Sequence, residues 1–358
     1  MKKCLKIIAL VLAVVLVAAL GYVGYVFGSY HRLGDAVLTA EGTTAPDAAL
    51  KTGESYKITG WNIGFGAYTA DYDFFMDGGK QSWAESPERL KENLSDIASV
   101  LQAENADICL LQEVDVHGTR TYKVDEREAL VSALSGKEYC RVTAMNYDSP
   151  YLLYPLYQPH GANQSCILTL SSFPVTGAAR VELPIEESVT KILDLDRCYS
   201  VCRIPCGDKE LVLYNLHLSA YTSDGSIAET QLNMLIKDMQ REYENGNWCI
   251  AGGDFNKDVL GSSPEIFGTT EFFGWAQPIP EGTFDGTAVR LIAPLDADNP
   301  VASCRNPDSA WHPGQFVVTV DGFMVTDNVE VLSSTVIDLG YAYSDHNPVN
   351  MEFRLKEE

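Results

Sequence analysis

Polar side chains that could bind a metal ion or transfer a proton follow apolar, strand-like runs at three distant places in the chain. Asp345 and His346 are adjacent near its end, and Asp254 and Asn256 lie roughly ninety residues earlier. Glu113 follows a third such run. Because strand ends from distant parts of a chain can meet at one edge of a sheet, we expect these groups to surround one cation and one phosphate. The combination indicates metal-dependent hydrolysis of a phosphate ester.

Oxygen ligands in the first part of the domain indicate a Mg²⁺ site. Glu113 must reach solvent, an ion or a partner, because an unpaired buried carboxylate is too costly. Mg²⁺ prefers oxygen ligands and keeps several waters, so Asn62 can complete such a site with its amide oxygen. A turn before Gly64 is the alternative interpretation of Asn62, and the pairs Gly-Asp at Asp254 and Asp-Gly at Asp321 are also typical of turns.

Two of the six histidines lie in runs of this kind. His217 stands within an apolar strand, where a histidine is usually a hydrogen-bonded core residue. His346 differs because it lies between Asp345 and an Asn-Pro pair at the entry to a strand. Phosphodiester hydrolysis needs proton transfer at the water and at the leaving oxygen, and histidine is the usual residue for this near neutral pH.

The first thirty residues belong to a different environment from the rest. Three lysines precede an uncharged apolar stretch of 21 residues from Ile7 to Phe27. As a helix this stretch is roughly 31 Å long, which matches the hydrocarbon thickness of a bilayer and exceeds the apolar region of a cleavable signal peptide. We predict a signal anchor over residues 1–30, with a cleaved signal peptide as the alternative. The lysines would stay in the cytoplasm, so that a single-pass protein of the cell membrane exposes the remainder outside.

Residues 31–53 have no sustained apolar period and are interpreted as a linker, and residues 54–358 as one catalytic domain. The chain has a net charge of −23 and lacks a cluster of lysines and arginines. Nucleic-acid binders normally have a basic surface, so the composition disfavours a nucleic acid as partner. No protein partner can be inferred.

The nine cysteines do not show the spacing of a metal site. Cys198, Cys202 and Cys206 recur every four residues, which places them on one face of a strand and indicates buried packing. An extracytoplasmic location would permit a disulfide, although its connectivity cannot be deduced from the spacing.

Two helices and many strands are predicted in the domain. Ser86-Pro87 begins one helix, and Ser226 with Glu229 forms a capping box at the start of another. Strand-like runs are predicted at Tyr56–Ile63, Ala106–Leu111, Ser165–Leu170, Tyr199–Ile204, Leu211–Leu216, Trp248–Ala251, Phe316–Val320, Phe323–Thr326, Val329–Val336 and Val349–Leu355. Many strands with few helices favour two packed sheets with helices outside.

The ordered motifs resemble those of the endonuclease/exonuclease/phosphatase superfamily, which has the deoxyribonuclease I-like fold, from residue 56 to residue 355. The resemblance implies an α/β fold, a four-layer α/β/β/α sandwich with the site at one end of the sheets. The motifs are Trp61-Asn62, Gln112-Glu113, Asn215-Leu216-His217-Leu218, Gly253-Asp254-Phe255-Asn256, Val320-Asp321-Gly322-Phe323 and Ser344-Asp345-His346.

The resemblance also implies roles for individual residues. Asn62 and Glu113 would bind Mg²⁺, with Mn²⁺ as the alternative ion, and Asp345 would contribute nearby. His346, oriented by Asp321, would activate water or contact the phosphate as a cation.

Four further residues have expected roles. Asp254 and Asn256 would position the nucleophile and a phosphate oxygen, and His217 would serve the leaving group, as in the deoxyribonuclease and sphingomyelinase branches. Arg120, seven residues past Glu113, could bind a phosphate oxygen, or it could be a solvated loop arginine.

The sequence therefore predicts a membrane-anchored, extracytoplasmic, Mg²⁺-dependent hydrolase of phosphoric esters. The anchor favours a lipid head group or a small molecule as the phosphodiester or phosphomonoester substrate. An extracellular nuclease and a catalytically inactive binding module of the cell surface are the alternatives. Aromatic residues between Phe65 and Phe75 would form either an apolar rim for lipid or ordinary loop packing.

Overall fold

Two strand–helix–strand units lie at the centre of the protein. The computed structural model describes residues 2–185, 196–220, 226–269 and 274–357. In each unit a helix connects two parallel strands, which is the usual way to join parallel neighbours. The units are β3 (Ser55–Asn62), α2 (Pro87–Glu104) and β4 (Ile108–Gly118), and β9 (Lys209–His217), α4 (Ser226–Glu244) and β10 (Trp248–Asp254).

The two strands of each unit are inner, parallel strands of a seven-stranded mixed sheet. One sheet has the order β1-β7-β8-β9-β10-β14-β11 and the other the order β15-β16-β3-β4-β6-β5-β2. A third, two-stranded sheet pairs β12 with β13. The remaining bounds are β1 Ala36–Leu38, β2 Glu41–Gly42, α3 Glu126–Ala133, β5 Cys140–Asp148, β6 Asn163–Ser171, β7 Gly177–Glu182, β8 Cys198–Cys206, α5 Ser263–Phe267, β11 Val289–Ile292, β12 Cys304–Arg305, β13 Val317–Val318, β14 Asp321–Thr326, β15 Val329–Val336 and β16 Val349–Leu355.

The two seven-stranded sheets pack face to face and carry helices on their outer faces. Ile58, Leu213 and Met351 belong to the apolar core between the sheets. A second core joins α2 to the sheet of β3, and a third joins α4 to the sheet of β9. The predicted four-layer sandwich is therefore confirmed.

The predicted helix start at Ser86-Pro87 is confirmed. The Ser86 side chain accepts a hydrogen bond from the Arg89 backbone N–H at 3.1 Å, which satisfies one of the free donors of the first turn. Leu90 and Leu94 bury the helix against the sheet. The predicted capping box begins at Ser226, whose side chain lies outside the described part of the structure.

The segment interpreted as a linker takes part in both sheets. β1 pairs with β7, and β2 pairs with β5, each at the outer edge of a seven-stranded sheet. Before it, α1 (Lys2–Ser29) is long and apolar enough to cross a bilayer, with a mean hydropathy of 2.8 over its most apolar 18 residues. None of those 18 residues is buried against the rest of the protein.

The cysteines pack as predicted. Cys198, Cys202 and Cys206 are all buried along β8, and all nine cysteines are free thiols. Most predicted strands are present, although the run at Phe316–Val320 is a strand only over Val317–Val318.

Candidate active site

The ends of parallel strands bring the predicted site residues together. Asn62 is the last residue of β3, His217 of β9 and Asp254 of β10. In the register of the sheet Asp254 lies opposite His217 on one side and Asp321 on the other. His217 and Asp254 line one cleft between the two sheets, and Asn62 is hydrogen-bonded to Asp254 beside it.

Glu113 reaches the cleft through a break in its strand. The pairing of β4 with β6 shifts register between Leu111 and Val114, and Glu113 has a φ of +53°. A bulge of this kind re-aims a side chain at the cost of local strain, which is a common feature of functional sites. The Glu113 carboxylate accepts a hydrogen bond from Asn62 Nδ2 at 3.1 Å.

A glycine lets two strands approach beneath the site. Gly253 has a φ of +140°, and a Cβ atom there would lie 2.1 Å from the carbonyl oxygen of Leu216. Only glycine fits this position. The Gly-Asp pair is thus not a turn, because it continues β10 up to Asp254.

Two motif residues tie the sheets together under the site. Gln112 Nε2 donates a hydrogen bond to Asn215 Oδ1 at 2.7 Å, and Asn215 Nδ2 donates to the carbonyl oxygen of Leu111 at 3.2 Å. All three residues are buried. These bonds cross between the sheets and fix the distance between the strand that carries Glu113 and the strand that carries His217.

Asp254 lies between the two histidines. Its Oδ2 atom is 3.4 Å from His217 Nε2 and 3.9 Å from His346 Nε2, and it accepts a hydrogen bond from Asn62 Nδ2 at 3.1 Å. Its Oδ1 atom accepts from the backbone N–H of Asn256 at 2.8 Å. Asp321 lies behind His346, with Oδ2 2.7 Å from Nδ1.

The two histidines differ in their protonation. Burial lowers the pKa of His217 well below its ordinary value, and the charges of Arg197 and His346 act in the same direction. Burial also opposes the charged form of His346, but the charges of Asp321 and Asp345 raise its pKa well above the ordinary value. The shifts therefore favour the neutral form of His217 and the charged form of His346 on the two sides of Asp254.

Two carboxyl groups of the site have pKa values that are shifted towards neutral pH. Burial raises the pKa of Asp254 to about 6, with a further contribution from the charge of Asp321. Burial raises the pKa of Asp345 to about 7, and the nearby charge of Glu113 adds to this effect. Such shifts are typical of functional sites because they bring a carboxyl group into the range of proton transfer.

The acidic residues at the cleft fit a divalent cation. Glu113 and Asp345 both line the cleft, and the charge of Glu113 contributes to the raised pKa of Asp345. Oxygen ligands of this kind suit Mg²⁺ or Mn²⁺. Asn62 donates its amide N–H groups to Glu113 and Asp254, while its oxygen accepts from the backbone N–H of Gly64 at 3.0 Å. In this arrangement Asn62 bridges two carboxylates.

Arg120 lines the cleft but is already paired. Its Nε and Nη2 atoms donate to both oxygens of Asp115 at 2.9 and 2.8 Å, and its guanidinium lies 3.8 Å from the ring centre of Phe65. Arg120 is buried, so it is not a solvated loop arginine.

The residues of β12 and the serine before it were not predicted from the sequence. Ser303 donates to Asp321 Oδ2 at 2.7 Å, and the Cys304 thiol lies 3.4 Å from His346 Nε2. Arg305 is fully buried and donates to the backbone oxygens of Thr69 and Tyr72. No repeat or motif marks this run, because a single isolated bridge between Cys304 and His346 brings it to the site.

The cleft combines these polar groups with aromatic walls. Tyr68 and Phe74, from the aromatic segment between Phe65 and Phe75, line the cleft. Phe65 and Tyr72 of the same segment are buried in the core beside α2. The segment therefore serves both as packing and as cleft wall. Further residues that line the cleft are Asn146, Tyr147, His160, Ser165, Arg197, Asn256, Trp275 and Asn306.

Known structures share this fold. A 2',3'-cyclic phosphatase, ANGEL2, solved with adenosine-2',3'-vanadate, is 16% identical, with a TM-score of 0.55 and coverage of 90% of this chain and 100% of that one. An endonuclease/exonuclease/phosphatase from Beutenbergia cavernae is 18% identical, with a TM-score of 0.52 and coverage of 84% and 72%. A family protein from Leptotrichia buccalis is 13% identical, with a TM-score of 0.51 and coverage of 84% and 100%.

The sequence itself matches at the level of a family. No curated protein sequence matches the chain. The model of the Endonuclease/Exonuclease/phosphatase family matches residues 60–346, a range that contains every predicted site residue. The chain belongs to the endonuclease/exonuclease/phosphatase family.

Proposed function

We propose that the protein is a membrane-anchored, divalent-metal-dependent phosphoesterase that hydrolyses a lipid head group outside the cytoplasm. The observation that carries this proposal is the position of Asp254 between two histidines, with Oδ2 3.4 Å from His217 Nε2 and 3.9 Å from His346 Nε2. This is a set of groups that can hold a water molecule, an anionic phosphate and a leaving oxygen at the same time.

Each residue has one task in the proposed reaction. Asp254 orients the attacking water and accepts its proton, which its pKa of about 6 allows near neutral pH. His346 contacts the phosphate as an imidazolium, and Asp321 holds that ring in place. His217 donates a hydrogen bond to the leaving oxygen.

The remaining groups bind and orient the phosphate. Asn256 lines the cleft and uses one amide hydrogen to bond the carbonyl oxygen of Leu218 at 2.8 Å, so the other can reach a phosphate oxygen. Glu113 and Asp345 would hold the metal ion. When bound, that ion supplies positive charge to the phosphoryl oxygens.

Two features support a lipid rather than a nucleic acid as substrate. The net charge of −23 is unfavourable for a polyanion that must contact a wide surface. The apolar α1 could hold the cleft near a bilayer, and Tyr68, Phe74 and Trp275 give the cleft an apolar wall.

The test is a substrate panel with the purified full-length chain in detergent. The full chain is needed because β1 and β2, within residues 31–53, complete both sheets. Phospholipid micelles, a nitrophenyl phosphodiester, a nitrophenyl phosphomonoester and DNA are compared with Mg²⁺ and with chelator. We expect Mg²⁺-dependent cleavage of phospholipid that His346→Ala lowers by roughly 10²–10⁴-fold. Faster cleavage of DNA than of any phospholipid would support the nuclease, and no cleavage of any substrate would support the inactive binding module.

A further inference from the structure

The loop between β5 and β6 exposes an unusual amount of apolar surface. Tyr154, Leu156 and Tyr157 are 71%, 81% and 69% exposed, and Tyr151 and Leu153 are 39% and 38% exposed. Outside α1, these five residues make up most of the nine exposed large apolar side chains among the described residues. The whole loop from Ser149 to Ala162 contains no Asp, Glu, Lys or Arg. Contiguous exposed apolar surface of this kind marks a contact with a partner or a membrane.

The same loop is bonded to the apolar N-terminal helix. Tyr22 donates through its hydroxyl to the carbonyl oxygen of Tyr151 at 3.2 Å and accepts from the Leu153 backbone N–H at 2.8 Å. The hydroxyl of Tyr25 accepts from the Tyr151 backbone N–H at 3.1 Å. These contacts place the loop beside the last turns of α1.

The depth of these contacts agrees with the geometry of a bilayer interface. Tyr22 lies five residues before Phe27, the last residue of the apolar stretch, which corresponds to roughly 7.5 Å along a helix. Elements that bind at an interface enter the membrane by roughly 5–10 Å. Tyrosine side chains prefer this level because one end is apolar and the other is polar.

A continuous row of rings connects the loop to the cleft. Tyr154 packs against Phe75 with ring centres 5.7 Å apart, and Phe75 packs against His160 at the same distance. His160 lines the cleft, as do Phe74 and Met76 on either side of Phe75. The exposed apolar loop thus lies at the mouth of the candidate active site.

We propose that residues 151–157 are a second membrane contact, which enters the same bilayer interface from which α1 emerges and sets the mouth of the cleft against the lipid head groups. This inference rests on the membrane anchoring in the proposed function and adds to it a fixed orientation. A helix alone would tether the domain at any angle. Two contacts on one side, next to the cleft, hold the cleft towards the membrane.

Spin-label accessibility in lipid nanodiscs tests the loop directly. The full chain is placed in phosphatidylcholine discs with Cys4→Ser, because the other eight cysteines are buried. A nitroxide is attached at Leu156→Cys, and its collision rates with oxygen, which is enriched in the bilayer, and with a water-soluble nickel chelate are compared. Leu332→Cys is the matched control, since Leu332 is 40% exposed on β15, at the opposite edge of the same sheet.

A third labelled position distinguishes a failure of the loop contact from a failure of the helix anchor. Leu12→Cys lies within α1 and reports whether that helix spans the disc. We expect the oxygen-to-nickel ratio at position 156 to shift away from the value at 332 and towards the value at 12. A ratio at 156 equal to that at 332, with a high ratio at 12, would overturn the loop contact and leave the anchor intact. A low ratio at 12 would overturn the anchor and the loop contact together.

A second measurement asks whether the contact matters for a lipid substrate. Leu156→Asp places a charge in the proposed interface without touching a residue of the site. We expect kcat/KM for phospholipid in the disc to fall roughly tenfold, as for a loss of one apolar anchor, while hydrolysis of a soluble nitrophenyl phosphodiester is unchanged. An equal loss on both substrates, or no loss on either, would overturn the role of the loop in presenting lipid.

Discussion

His346 Nδ1 lies 2.7 Å from Asp321 Oδ2, and both side chains are buried. The same Asp321 oxygen accepts a hydrogen bond from the Ser303 hydroxyl at 2.7 Å. Asp321 is also the residue that pairs with Asp254 across β14 and β10. The charge that raises the pKa of His346 is therefore fixed to the strand that carries the proposed base, so the cation and the base keep a constant distance.

Asp321→Asn should remove the charge while keeping the shape of the side chain. The pKa of His346 should then fall, because burial would act without the opposing carboxylate. The imidazolium would be lost at lower pH, so the alkaline limb of the kcat/KM profile should move to lower pH. We expect the rate at neutral pH to fall by roughly 10²–10⁴-fold.

The pH profile distinguishes this role from a structural one. Ser303→Ala provides the comparison, because it removes a hydrogen bond to Asp321 without removing the charge. It should lower the rate less and leave the alkaline limb nearly in place. A loss of rate in Asp321→Asn with an unshifted profile would show that Asp321 supports the fold but not the charge on His346.

Glu113→Gln should abolish metal binding without unfolding the protein. The wild-type protein should gain stability with Mg²⁺, by about 2.7 kcal/mol at a hundredfold excess over the dissociation constant, and the variant should not. Without metal the variant should be at least as stable as the wild type, because it loses the repulsion between Glu113 and Asp345. Thermal unfolding with Mg²⁺ and with chelator measures both effects.

Glu92→Gln is the matched control, since Glu92 is exposed on α2 and pairs with Arg89 on the same helix. It should keep the full response to Mg²⁺. A Mg²⁺ response in Glu113→Gln equal to that of the wild type would show that the ion binds elsewhere.

Much of the candidate site could be predicted because it lies at strand ends. Asn62, His217 and Asp254 each follow an apolar run in the sequence and each end a strand in the structure. The parallel neighbours β9 and β10 end at the same edge, so local patterns are enough to bring His217 and Asp254 together, whereas Asn62 joins them through the packing of the two sheets. The order of the layers follows from the two strand–helix–strand units in the same way.

Features that leave no local pattern in the sequence could not be predicted. Cys304 reaches His346 through one isolated bridge, which leaves no periodic pattern in the sequence. The bulge at Glu113 is equally invisible, because the residue types around it are those of an ordinary strand. β5 was missed because Met145 lies on its outward-facing side and a second bulge follows, which weakens the alternation of polar and apolar residues.

Arg120→Met should destabilise the protein by roughly 3–5 kcal/mol, because it leaves the Asp115 carboxylate buried without its partner. The double variant Asp115→Asn with Arg120→Met should regain part of this stability, since both charges are then removed. Urea unfolding of the wild type, Asp115→Asn, Arg120→Met and the double variant measures the coupling between the two residues.

Arg89→Met is the matched control at an exposed pair on α2, and its cost should not exceed about 1 kcal/mol. Additive effects in the double variant would show that the Asp115 pair does not stabilise the fold. In that case Arg120 would be better explained by the predicted contact with a phosphate oxygen.

His160→Gln should change how stability depends on pH. Burial and the charge of Arg120 lower the pKa of His160 from 6.5 to about 3, and this buried ring has no hydrogen-bond partner at Nδ1 among the described residues. The unfolded chain therefore binds a proton more readily than the folded chain between these two values. The contribution of the neutral His160 ring to the free energy of unfolding is fully present above pH 6.5 and is lost as the pH drops towards 3.

The variant cannot take up this proton, so the wild type should lose about 2 kcal/mol relative to His160→Gln between pH 7.5 and pH 5. Urea unfolding at the two pH values gives the difference directly, and the many carboxyl groups that also titrate cancel in the comparison. His312→Gln, at an exposed position, is the matched control. A difference between wild type and His160→Gln that stays constant with pH would show that the His160 ring can be charged inside the folded protein, which its apolar neighbours Phe74 and Phe75 argue against.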